Sequence, residues 1–172
     1  EFLRFRENDE VIAVAPDAGA SKFITYFGRA LRLKCAIASK YRPEPEKAVV
    51  SEVIGDFSGK KTAIVIDDLI SSGGTVYELV RKLVEEKGIK EVCLGASHNL
   101  CMKQAGERLI DLNSRYNLKE VIVTDSIPQG EDFVSLPFFS VRSLSDVLTR
   151  VINRIHYNQS VSSLFHREAA ED

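Results

Sequence analysis

Apolar residues in this chain come in short solid blocks separated by longer stretches of mixed character. Val11 to Ala15 (VIAVA) and Ala63 to Ile66 (AIVI) are continuously apolar, and Cys35 to Ser39, Ala48 to Ile54, Glu91 to Ala96 and Glu120 to Thr124 are nearly so. Blocks of this kind, rich in β-branched residues, predict strands buried on both faces, the habit of parallel sheets. Between them the period becomes helical. Helices are expected after Lys22 through about Leu33, along VYELVRKLVEE after Thr75 and from Met102 to Leu112. A last one is expected from Leu144 to Ile155, capped by Ser143, with apolar positions at 144, 147, 148, 151, 152 and 155. Gly88 marks the C-cap region of the second helix, and Phe133 to Val141, interrupted by Pro137, predicts an edge strand. The fold class is therefore α/β, an open parallel sheet with helices on both faces.

Polar residues gather where the strands end. Asp17-Ala18-Gly19-Ala20-Ser21-Lys22 follows the first strand, Ser97-His98-Asn99 another and Thr124-Asp125-Ser126-Ile127-Pro128 a third. Lys40 to Lys47, with Pro43 and Pro45 among its charges, is expected to resist both helix and sheet and to form a mobile exposed loop. In an open sheet these segments share one edge, the edge at which such folds bind ligands. One composite pocket is expected there.

The centre of that edge is AIVIDDLISSGGT, residues 63 to 75. The strand is expected to stop at Asp67 and Asp68. Ser71, Ser72, Gly73, Gly74 and Thr75 then form a loop whose glycines allow close backbone approach and whose hydroxyls donate hydrogen bonds. A helix follows, so unpaired N–H groups and the positive end of its dipole face the loop and suit a phosphate. Two carboxylates beside a phosphate pocket suit sugar hydroxyls or Mg²⁺. A phosphorylated sugar is the ligand expected. Asp17 to Ala20 reads as an anion-binding turn with Lys22 at its edge. Lys40 and Arg42, at alternate positions, are placed to close over a polyphosphate.

Composition narrows the class further. The chain has 172 residues, 23 of them basic and 25 acidic, for a net charge of -2, so nothing calls for a nucleic-acid or membrane surface. Three cysteines, Cys35, Cys93 and Cys101, form no CxxC pair and are expected as reduced thiols in a cytoplasmic protein. No apolar run approaches the length of about eighteen residues that a membrane span requires. The chain opens on Glu1, not Met, and residues 1–10 are expected to lead in from a longer polypeptide. Residues 11–165 then form the sugar-phosphate domain, and 166–172 a polar tail.

AIVIDDLISSGGT resembles the phosphoribosyl pyrophosphate (PRPP) motif of type I phosphoribosyltransferases and of their relative, ribose-phosphate pyrophosphokinase. Several segments resemble the second of these: PDAGASK its pyrophosphate loop, Lys40-Tyr41-Arg42 the start of its catalytic loop, and GDFSGKKTAIVIDDL its lead into the motif. Ser97-His98 stands where that family has Thr-His, TDSIP where it has TNTIP, and RIHYNQSVSSLF resembles its C-terminal end.

This resemblance implies a phosphoribosyltransferase-like fold and transfer of the diphosphoryl group of ATP to ribose 5-phosphate with Mg²⁺, giving PRPP and AMP for nucleotide biosynthesis. It assigns Ser71 to Thr75 to the 5-phosphate, Asp67 and Asp68 to the ribose hydroxyls and Asp17, Ala18, Gly19 and Ala20 to the Mg-diphosphate side, with Asp17 a metal ligand. Lys40 and Arg42 become the catalytic pair, and Lys22, His98 and Thr124 further contacts. The family assembles as dimers or hexamers, so a homo-oligomer is implied for a full-length protein. Departures are Ser71-Ser72 where the family has Asp-Thr or Ser-Thr, and Phe23 where it often has Arg. The family's N-terminal half, which grips ATP, is missing, so the chain is expected to bind sugar phosphate but to turn over little. A stand-alone phosphoribosyltransferase and a non-catalytic regulatory relative are the alternatives.

Overall fold

The computed structural model describes residues 2–44 and 47–165, with side chains at residues 40–51 and 165 left aside. Seven strands form one sheet: β1 (Val11–Ala15), β2 (Lys34–Glu44), β3 (Lys47–Ile54), β4 (Thr62–Ile70), β5 (Glu91–Asn99), β6 (Leu118–Thr124) and β7 (Phe139–Arg142). Their order is β3-β2-β1-β4-β5-β6-β7, and every neighbouring pair is parallel except β2 and β3. The helices are α1 (Ser21–Leu31), α2 (Gly74–Glu85), α3 (Lys103–Tyr116), α4 (Glu131–Val134), α5 (Ser145–His156) and α6 (Ser162–Phe165). Among the described residues no helix is long and apolar enough to cross a membrane.

The solid apolar blocks are buried on both faces because two layers cover them. Ile12, Val14, Ala63 and Val65 point into a core shared with Val76, Leu79, Val80 and Leu83 of α2 and with Ala105, Leu109 and Leu112 of α3. Val11, Ala13, Ala15, Ile64 and Ile66 point the other way, against Ile24 and Leu31 of α1. Phe2 and Phe5, in a short 3-10 turn, pack on the same side. A Cβ on Gly95 would come within 2.8 Å of the Phe2 ring, so glycine lets this turn lie flat on the sheet. Each fully buried isoleucine or leucine contributes about 1.5–3 kcal/mol, which makes the central strands a rigid base for the loops at their C-terminal ends.

Several sequence expectations need correction. The segment from Lys40 is not a loop: β2 continues through Glu44 and forms a hairpin with β3, in which Lys40 faces Val50, Tyr41 faces Val49 and Glu44 faces Lys47. Charge and proline there concealed an edge hairpin. Its register shifts between Tyr41 and Glu44, around Pro43, which is where an edge tolerates a residue with no N–H. Residues 45 and 46 lie outside the described residues.

The central strand also runs further than its apolar block. β4 passes through Asp67 and Asp68 to Ile70, because Asp67, Leu69 and Ile70 pair with Ala96, His98 and Asn99 of an equally extended β5. Ser97, His98 and Asn99 are thus strand residues. Residues 133–141 split into the end of α4 and the edge strand β7, with Pro137 between them. Ser143 stands one residue before the N-cap of α5, Leu144, and accepts from Ser145 N at 3.2 Å. No residue of α5 is buried; Val147, Leu148, Ile152 and Ile155 are all exposed.

Candidate active site

The loop after β4 is short because α2 begins at Gly74. Gly73 is its N-cap with φ 75°, a left-handed conformation that suits glycine, and no side chain caps the helix. A Cβ on Gly73 would also sit 3.4 Å from Ala105 Cα, so the loop is pressed against α3. Ser71 is exposed, while Ser72 and Thr75 are half-buried. The first turn of α2 therefore presents backbone N–H groups that no side chain has claimed as a cap, the arrangement that favours an anion.

Asp67 and Asp68 precede this loop on adjacent positions near the end of β4. Asp68 is exposed and Asp67 half-buried. The Asp68 N–H donates to Asp67 Oδ1 at 2.9 Å. Burial pushes the Asp67 carboxyl up to about 6, and the Asp68 and Asp17 carboxylates push in the same direction against that backbone donor. Asp17 is thus close enough to be felt at Asp67, which joins the turn after β1 electrostatically to the end of β4.

In the first turn, where an anion nest is expected, one N–H is already bonded. Residues Ala18–Ala20 form a 3-10 turn, and Asp17, extended at φ -158°, accepts from Ala20 N at 3.2 Å. The Ala20 N–H is therefore committed to Asp17. Gly19 lies next to the same carboxylate, since a Cβ there would be 3.0 Å from Asp17 Oδ1. A cleft of about 500 Å³ opens between this turn and the strands beside it, lined among others by Asp17, Gly19, Ile37, Ser39 and Ile54. Lys22 is exposed in the first turn of α1. The backbones of Lys40 and Arg42 lie in β2 beyond Ser39, and their side chains fall outside the description.

On the other flank, His98 Nδ1 lies 2.7 Å from Ser126 Oγ, and that hydroxyl donates to Ser97 O at 3.1 Å. With the hydroxyl hydrogen so placed, Nδ1 donates to Ser126 Oγ. Thr124 Oγ1 donates to Ser97 O at 2.6 Å and accepts from Ser126 N at 3.2 Å, so Thr124 braces the strand end. Asp125 accepts from Ser143 Oγ and Leu144 N, which hold its carboxyl below the usual range and fix the start of α5.

The sequence placed Asn99 at this edge without a partner and did not single out Arg108. Asn99, completely buried, donates to Gln129 Oε1 at 2.8 Å, and Gln129 Nε2 returns a bond to Asn99 O at 3.2 Å. Arg108 of α3 donates to Ser72 O at 2.6 Å. Neither residue has a motif around it; both reach the edge from partners distant in sequence. All three cysteines are free, as expected, with Cys93 buried and Cys35 and Cys101 half-buried. Among the described residues, no three His, Cys, Asp or Glu side chains form a group that holds a metal ion unaided.

The chain is 38% identical over 164 residues to the ribose-phosphate pyrophosphokinase of Caldanaerobacter subterraneus subsp. tengcongensis, covering 95% of this chain and 50% of that one. With the enzyme of Bacillus subtilis it shares 34% over 165 residues, 96% of this chain and 50% of that one. The crystal structure of phosphoribosylpyrophosphate synthetase from Mycobacterium smegmatis superposes with a TM-score of 0.72 at 29% identity, covering 92% of this chain and 47% of that one. The chain spans about half the length of the curated relatives it matches. Residues 42–166 match the family described as the phosphoribosyl synthetase-associated domain, and the chain belongs to that family.

Proposed function

We propose that this chain is the ribose 5-phosphate-binding half of a ribose-phosphate pyrophosphokinase. The observation that carries the reading is the meeting of the Asp67-Asp68 pair with the uncapped, glycine-started N-terminus of α2, in a chain whose relatives carry that name. Ser71 to Thr75 hold the 5-phosphate through backbone N–H groups and hydroxyls. Asp67 and Asp68 accept from the ribose hydroxyls, and Asp17 to Ala20 line the diphosphate side of the cleft.

In the reaction the sugar's 1-oxygen bonds to the β-phosphorus of ATP while the bond from that phosphorus to the α,β-bridging oxygen breaks. AMP leaves, and the 1-hydroxyl proton is released. Such transfers ask a protein mainly for positioning and charge neutralisation. Lys40 and Arg42, on the hairpin beyond the diphosphate turn, supply cations for that purpose. The carboxylates of Asp17, Asp67 and Asp68 are hard oxygen donors of the kind Mg²⁺ takes together with substrate phosphates. Mg²⁺ held there would neutralise charge on the diphosphate.

Calorimetric titration of the chain with ribose 5-phosphate, PRPP and ATP, each with Mg²⁺, tests the reading. Binding of both sugar phosphates is expected. Failure of both to bind would overturn it.

A further inference from the structure

The phosphate loop has no cation of its own: residues 67–75 contain neither lysine nor arginine. Arg108 supplies one from α3. Its Nη1 donates to Ser72 O at 2.6 Å, and the side chain lies along the loop. A Cβ on Gly73 would be 3.8 Å from Arg108 Cδ, and one on Gly74 would be 3.5 Å from Nη1. Arg108 is half-buried, and among the described residues no carboxylate pairs with it. The guanidinium retains further N–H donors after the bond to Ser72.

We infer that Arg108 is a positioning residue for the 5-phosphate: it fixes the Ser72 peptide and brings a permanent positive charge to the start of α2. The carbonyl at Ser72 matters because a C=O turned toward a phosphate repels it, whereas the N–H groups that follow attract it. One charge-assisted bond to that carbonyl holds the peptide in one orientation. The glycines on either side of the helix start give the loop no side-chain packing with which to hold itself. The restraint therefore comes from α3, with Ala105 beneath the loop and Arg108 along it. This inference rests on the reading of the loop as a ribose 5-phosphate site.

The test compares the native chain with Arg108→Met, Arg108→Gln and Arg108→Lys by calorimetry with ribose 5-phosphate, alongside hydrogen exchange of the amides of residues 72–75. Loss of a charged hydrogen bond predicts affinity reduced about tenfold or more in the two neutral variants, with faster exchange at residues 72–75 and unchanged exchange in β1 and α1. Arg108→Lys restores most of the affinity, which a mere loss of folding stability would not explain. A folded neutral variant that binds as tightly as the native chain, or a lysine variant as weak as the methionine one, overturns the inference. If the native chain takes no ribose 5-phosphate, the reading of the site has failed instead. Amide exchange at residues 72–75 then still decides whether Arg108 holds the loop.

Discussion

Asp68 donates its backbone N–H to the side chain of Asp67 at 2.9 Å, yet that bond does not bring Asp67 into the ordinary carboxylate range. Burial dominates and leaves the carboxyl at about 6. A folded-state value above the unfolded one, about 3.9, means that the native chain binds the proton more tightly. Stability from this group is present below about pH 4 and is lost as the pH rises through 6.

Asp67→Asn removes the buried charge, so the variant is expected to be more stable than the native chain at pH 8, by about 1 kcal/mol after allowance for solvent screening. The difference should vanish toward pH 4. Denaturant unfolding at the two pH values measures it, and an Asn variant less stable than the native chain at pH 8 would contradict the burial argument. Ligand binding should weaken in the same variant, since an amide offers hydroxyls one acceptor oxygen and cations no negative charge.

Gly73 combines φ 75° with close approach to Ala105. Gly73→Ala is expected to cost about 1 kcal/mol from the left-handed conformation alone, more where the Ala105 contact resists. Chemical denaturation measures the loss. Gly59, also left-handed at φ 72° but with nothing within 4 Å of an added Cβ, is the control that isolates the packing contribution.

Asn99 is fully buried and bonded to Gln129. Asn99→Ala leaves the Gln129 amide short of a partner and should cost about 1–3 kcal/mol. If the pair only pins the loop after β6 to β5, the double variant Asn99→Ala with Gln129→Ala should lose less than the sum of the single losses. Additive losses in a double-mutant cycle would show the two side chains to be independent.

What was legible in the sequence was whatever a local pattern dictates. VIAVA and AIVI had to be strands buried on both faces, and the SSGGT loop had to lead into a helix, because apolar runs and glycine placement act over a few residues. Strand ends were not legible. Asp67 to Ile70 and Ser97 to Asn99 look like loop and become strand because β4 and β5 satisfy each other's backbone groups. The hairpin at Lys40–Glu44 was hidden for the same reason: its charges and Pro43 argue against a strand, and only pairing with β3 makes one. The loop Ser71 to Thr75 stood out through its glycines and hydroxyls, whereas Arg108, 36 residues from Ser72, reaches it only once α3 has packed beside α2.

The most direct measurement is amide chemical-shift mapping of the chain during titration with ribose 5-phosphate, with unphosphorylated ribose in parallel. The account predicts that the largest shifts fall on the amides of Ser71 to Thr75, followed by Asp67 and Asp68, and that ribose without its phosphate leaves the Ser71 to Thr75 amides nearly unmoved. Shifts concentrated elsewhere, or equal shifts with both sugars, would contradict the claim that this loop is the 5-phosphate site.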